Sequence, residues 1–135
     1  MQDPDELDTY AATLAARTLR ALMAITAAFN LEAVQWDAVN AFTNSLLEGD
    51  PVYCECPEGF EDEEPGKIWL LLRALYGLRT SPLLWLKEFS KTLRELGLKR
   101  TDEEVCLFQN DWLLVFFFVN DIVDVCRTAD LSKLQ

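Results

Sequence analysis

Eight consecutive apolar residues, Trp112 to Val119, run up to the dipeptide Asn120-Asp121, and a second β-rich run, Ile122 to Val125, follows it. A stretch of that length is far short of the roughly 20 residues that a membrane-spanning helix needs. It reads instead as a strand buried in a sheet. Asn and Asp tolerate positive φ, so the text predicts a hairpin turned by Asn120-Asp121. The rest of the chain has to supply the other strands and the helices that cover them.

The flanking text meets that demand. Thr9 to Phe29 is rich in Ala and Leu, lacks Gly and Pro, and carries Leu14, Leu22, Ile25 and Phe29 at near-helical spacing, which predicts a long helix. Leu31 to Val39 alternates loosely among β-formers and predicts a strand with Asp37 near its end. An irregular turn through Asn44 and Ser45 and a short strand over Val52 to Cys56 follow. Residues 57–66, with their Pro, Gly and acidic content, predict a loop. Lys67 to Leu72 is strand-like. Ser81-Pro82 marks a helix start, Leu86, Phe89, Leu93 and Leu96 form its apolar stripe, and Gly97 is placed to cap it. Strand pieces around Leu107 and Phe108 and a turn at Asn110-Asp111 lead into the hairpin. The expected fold is α+β: a single domain over 1–135, an antiparallel sheet with helices packed on one face, an acidic tail at 1–8 and an acidic loop at 57–66.

Composition narrows the chemistry. The chain has 135 residues and no histidine, so Ser-His-Asp and Cys-His pairs and His-ligated zinc are excluded. Cys54, Cys56, Cys106 and Cys126 lack the paired C-x-x-C spacing of a zinc or iron-sulfur site. The acidic N-terminus does not resemble a secretory signal, and free thiols in an intracellular compartment, cytoplasm or nucleus, are expected. The remaining catalytic groups are carboxylates. Pairing of the strands that carry Asp37 and Asp121 brings two acids within metal-bridging reach, and hard oxygen ligands of that kind suit Mg²⁺.

The net charge of −11 opposes nonspecific attraction to a phosphate backbone. Its distribution is uneven: residues 66–100 hold 8 basic and 2 acidic side chains, against 14 acidic and 2 basic in residues 1–65. Gathered on one face, the basic residues would track a nucleic acid; dispersed, they keep a helix soluble.

Four segments in order carry a resemblance. Trp36 to Ser45 (WDAVNAFTNS) and Pro51 to Phe60 (PVYCECPEGF) are similar to the D-V-K-x-A-F-L-N-G and V-Y-M-x-x-P-x-G-F stretches of copia-type LTR retrotransposon reverse transcriptases. Leu71 to Trp85 (LLRALYGLRTSPLLW) resembles their L-K-K-A-L-Y-G-L-K-Q-S-P-x-x-W signature, and Phe117 to Val123 (FFVNDIV) their Y-V-D-D-I. The resemblance implies an RNA-directed DNA polymerase palm that holds Mg²⁺ or Mn²⁺, with nucleic acid and dNTP as partners. It makes Asp37 the first metal ligand and Asp121, with Asn120, the hairpin part of the catalytic group. It places Phe42 beneath the incoming sugar, and Gly77, Arg79, Ser81 and Pro82 along the nucleotide and template site.

The Y-V-D-D tetrad, however, reads Phe118-Val119-Asn120-Asp121. An amide at Asn120 lacks the charge that offsets two closely spaced Mg²⁺ ions. The segment also starts at the helix before the first catalytic strand and stops just past the hairpin, leaving out fingers and thumb. The expected function is therefore a reverse-transcriptase-like palm domain that is catalytically inactive as it stands. The alternative is a non-catalytic protein-interaction or assembly module with a palm-like fold, a homo-oligomer among the options, and no membrane partner is expected.

Overall fold

The computed structural model describes residues 4–60, 66–102 and 104–134, with side chains from Ala16 onward. The element order is α1 (Pro4–Ala28), β1 (Glu32–Asp37), a 3₁₀ turn (Ala41–Asn44), β2 (Val52–Glu55), β3 (Ile68–Leu71), α2 (Ser81–Glu95), β4 (Lys99–Arg100), β5 (Leu107–Gln109), β6 (Leu113–Phe118), β7 (Asp121–Cys126) and a second 3₁₀ segment (Thr128–Leu134). Two units emerge, one from residues 1–39 with 89–135 and one from 40–88. The central acidic stretch 61–64 lies outside the described residues. Helix α1 starts at Pro4, inside the segment expected to be an acidic tail.

In the first unit, five strands form an antiparallel sheet in the order β1-β7-β6-β5-β4. The apolar run is β6, an interior strand as its composition requires. Neighbouring residues of a strand point to opposite faces, and β6 uses both. Phe116 packs with Leu22 of α1 and Val125 of β7, with Leu19, Leu107, Leu114 and Val123 around them. Phe117 meets Phe89 of α2 edge-on, with ring centroids 4.8 Å apart and planes at 86°. Phe108 lies 6.1 Å from Phe117 on that second face, under the Arg94 guanidinium. Helix α1 and the C-terminal half of α2 thus cover opposite faces, which corrects the expectation of helices on one face. A strand with Phe at 116, 117 and 118 offers no polar face to leave in water.

The apolar stripe expected on α1 is also revised: Leu22 is buried, whereas Ile25 and Phe29 are exposed. On α2, Leu93 is buried and Leu96 exposed. The C-terminus of α2 closes as expected on Gly97, at φ 84°. Gly97 N–H donates to Arg94 O at 2.9 Å and Leu98 N–H to Leu93 O at 3.0 Å, the paired bonds of a left-handed helix cap.

The second unit holds the two-stranded sheet β2-β3, paired from Val52↔Leu71 to Glu55↔Ile68. Residues 45–47 run beside 72–74: Ala74 N–H donates to Ser45 O at 3.0 Å, Leu47 N–H donates to Leu72 O at 3.1 Å, and Leu46 bridges Arg73. Helix α2 begins at Ser81, and Thr80 stands in the cap position, because the Thr80 carbonyl already accepts Leu84 N–H at 3.0 Å. Freed from capping, the fully buried Ser81 hydroxyl donates to Leu75 O at 2.6 Å and fixes the loop before the helix. That loop turns at Gly77, whose φ is 94°, and no atom lies within 4 Å of where a Cβ would stand. A Gly77→Val substitution is therefore expected to cost about 1–2 kcal/mol through backbone strain alone. Thermal denaturation checks this, and an unchanged melting temperature would remove the strained turn from the account.

Candidate active site

Asp37 and Asp121 come together because the strands that carry them are neighbours. The β1-β7 register runs from Glu32↔Cys126 to Asp37↔Asp121, so the last residue of one strand faces the first of the other. Residues directly opposite in an antiparallel pair share a face and lie within about 5.5 Å at Cβ, and like charges so placed repel. Both carboxylates are exposed.

The turn between β6 and β7 differs from expectation by one residue. It is formed by Val119-Asn120, and Asp121 opens β7, paired with Phe118. Moving the two-residue turn back by one residue changes each partner by two, so that Phe116 lies opposite Val123 instead of Val125, and every side chain keeps its face. The cost falls on Val119, a β-branched residue held at φ 55°. Replacing Val119 by glycine is expected to raise stability by about 1 kcal/mol, the relief of strain less the added chain entropy. Chemical denaturation tests this, and a loss of stability would mean that the side chain contributes more than its backbone costs.

Asn120 makes two bonds at the end of β1. Its carbonyl accepts Ala38 N–H at 2.8 Å, and its Nδ2 donates to Asp37 Oδ1 at 2.5 Å. Opposite a carboxylate the amide can only present its NH₂, because a carbonyl oxygen there would be repelled. Asp121 has an amide partner of its own: Gln35 Nε2 donates to Asp121 Oδ1 at 3.3 Å. Sequence reasoning passed over Gln35. The period of two that places it beside Asp37 on one face of β1 was the signal.

Asp124 lies on the other face, with Trp36 and Ile122. The Trp36 indole N–H donates to Asp124 Oδ2 at 2.9 Å. Burial pushes the Asp124 carboxyl above the usual carboxylate range, and the Trp36 hydrogen bond opposes that shift. It is no ligand for the Asp37-Asp121 face.

The donor set does not fit a pair of divalent ions. Among the described residues no group of three or more His, Cys, Asp or Glu side chains is placed to hold a metal. Two carboxylates would set two negative charges against four positive ones. The third position carries an amide that turns a donor, not a lone pair, toward Asp37.

The remaining expected residues lie in the second unit. Phe42 is buried in the 3₁₀ turn, and its ring packs against Tyr76 at a tilt of 45° with centroids 4.5 Å apart. Arg73 Nη1 donates to the carbonyls of Thr43 at 3.1 Å and Asn44 at 3.3 Å, tying the turn after Phe42 to the end of β3. Arg73 was visible in the sequence only as one more basic residue. Gly77, Arg79 and Pro82 are exposed, whereas Ser81 is buried and engaged with Leu75. The WDAVNAFTNS and LRALYGLRTSP segments thus touch through Phe42-Tyr76 and Arg73. Ser45, which stands where the first family stretch ends in glycine, is buried, with its hydroxyl unpartnered among the described residues.

All four cysteines are free thiols. Burial, with the charge of Glu104 adding to it, pushes the Cys106 thiol up to about 11, far from a reactive thiolate. Among the described residues no helix is long and apolar enough to cross a membrane.

Comparison with known proteins bears on the same segments. The family model described as reverse transcriptase (RNA-dependent DNA polymerase) matches residues 2–134. The retrovirus-related Pol polyprotein from transposon TNT 1-94 of Nicotiana tabacum is 28% identical over 127 residues, covering 87% of this chain and 9% of that protein. A putative transposon Ty5-1 protein of Saccharomyces cerevisiae is 37% identical over 73 residues, covering 53% of this chain and 23% of its own length. The retrovirus-related Pol polyprotein from transposon RE1 of Arabidopsis thaliana is 28% identical over 124 residues, covering 88% of this chain and 8% of that protein. The chain therefore spans under a quarter of each of these relatives. No solved structure matches. With the family model matching nearly the whole sequence, and the Pol polyproteins of copia-type transposons aligned along most of it, the chain belongs to the reverse transcriptase family, in its copia-type retrotransposon branch.

Proposed function

We propose that this chain is a reverse-transcriptase palm domain that does not catalyse nucleotide transfer as it stands. One observation carries the reading: the Asn120 amide donates to Asp37, the carboxylate that the family resemblance makes the first metal ligand. Phosphoryl transfer of this class relies on divalent ions to neutralise the triphosphate and activate the attacking hydroxyl. Asp37 and Asp121 are what remains of that centre, and they are committed to amides. Phe42, Gly77, Arg79 and Pro82 retain the family's nucleotide and template segment, and Ser81 holds the shape of that segment through Leu75. Nucleic acid and dNTP are the ligands for which that segment is built, and the positive charge of residues 66–100 is in keeping with them.

The test is titration of the whole chain with Mg²⁺ and Mn²⁺, with and without a dNTP, followed by NMR at Asp37, Asn120 and Asp121. A flat response at those residues is expected. Metal-dependent shifts confined to them would overturn the reading and restore a nucleotide-binding metal site.

A further inference from the structure

We propose that Gln35 and Asn120 form an amide clasp that takes the place of a divalent cation at the Asp37-Asp121 end of the sheet. This rests on the reading that the site holds no metal, and it assigns a task to the groups that stand there instead. Asp37 and Asp121 face each other across the β1-β7 ladder, so in water their charges repel. In a metal-bound centre a cation between the acids would offset this. Here each acid receives its own N–H donor, Asp37 from Asn120 at 2.5 Å and Asp121 from Gln35 at 3.3 Å.

The two donors come from opposite strand ends. Gln35 belongs to β1 and reaches to β7, while Asn120 precedes β7 and reaches to β1. The bonds therefore cross the strand pair in both directions. The Asn120 carbonyl adds a third tie by accepting Ala38 N–H just past the end of β1. Hydrogen bonds to an ionised acceptor are stronger than neutral ones. The clasp thus keeps the last residues of β1 paired where the ladder ends and the two charges would otherwise push it open.

Native-state hydrogen exchange on the full chain tests this, read at the Ala38 amide and at the side-chain amides of Gln35 and Asn120. The variants are Gln35→Met, which keeps size and removes the donors, and Asn120→Ala. With EDTA present, each is expected to speed exchange at Ala38 about three- to tenfold, the range set by losing one hydrogen bond of ordinary net strength. In the wild type, the side-chain amide protons of both residues are expected to exchange more slowly than those of solvent-exposed amides, which gives a readout that needs no variant. Unchanged exchange at Ala38 in Gln35→Met, or a Gln35 amide exchanging at the solvent-exposed rate, overturns the clasp. Slower wild-type exchange on adding Mg²⁺ would instead overturn the no-metal reading, while the EDTA arm still decides whether the amides hold the strands.

Discussion

Truncating Phe117 to alanine is expected to lower the stability of the chain by about 3–5 kcal/mol, the usual cost of removing a large aromatic side chain from a packed core. Phe117 is 1% exposed, on an interior strand, with Phe89 edge-on at 4.8 Å and Phe108 close by. Its loss removes transfer free energy and also leaves a void lined by two rings that cannot both collapse into it. Against a total of about 5–15 kcal/mol for a typical domain, that is a large share. Urea denaturation measures it. Phe118→Ala provides the contrast, because that ring is 39% exposed and points to the other face. Its loss is expected to cost about 1 kcal/mol, in keeping with partial burial. Equal losses for the two variants would contradict a core that continues from β6 onto α2.

Asn120→Asp is expected to have the second largest effect and to change its kind. With EDTA present, the substitution removes the charge-assisted bond to Asp37 and places a third carboxylate beside two that already face each other. The expected loss is about 1–3 kcal/mol, the range for a hydrogen bond to a charged group. Adding Mg²⁺ is expected to restore much of that loss, since three carboxylates make a hard-oxygen site that two do not. The melting temperature of the variant would then depend on Mg²⁺ while that of the wild type does not. Thermal denaturation with and without the ion reads this directly. A variant as stable as the wild type in EDTA would mean that the Asn120-Asp37 bond contributes nothing to the fold.

Much of this was legible in the residues, and the exceptions have physical causes. The apolar run at 112–119 required an interior strand, and Asp37 and Asp121 were expected at strand ends that meet. The turn was displaced by one residue because both positions leave the same side chains on the same faces, so the apolar pattern does not choose between them and the tolerance of Asn-Asp for positive φ was the only guide. The covering of both faces was hidden because three phenylalanines in succession carry no alternation. Ser81 was read from its place before proline, which says nothing about a carbonyl six residues earlier. Gln35 and Arg73 act through bonds to groups distant in the chain, and polar residues of that kind look the same whether they hold a partner or face water.

The backbone of Val119 has one more consequence. A valine in the left-handed basin stands outside the β region that its branched Cβ favours, so the bonds around it have to hold it there. The β6-β7 tip therefore carries strain that the pairing of the two strands offsets. The residue that follows, Asn120, reaches Asp37 from a strained turn, so the bond it makes there also helps to hold that turn in place.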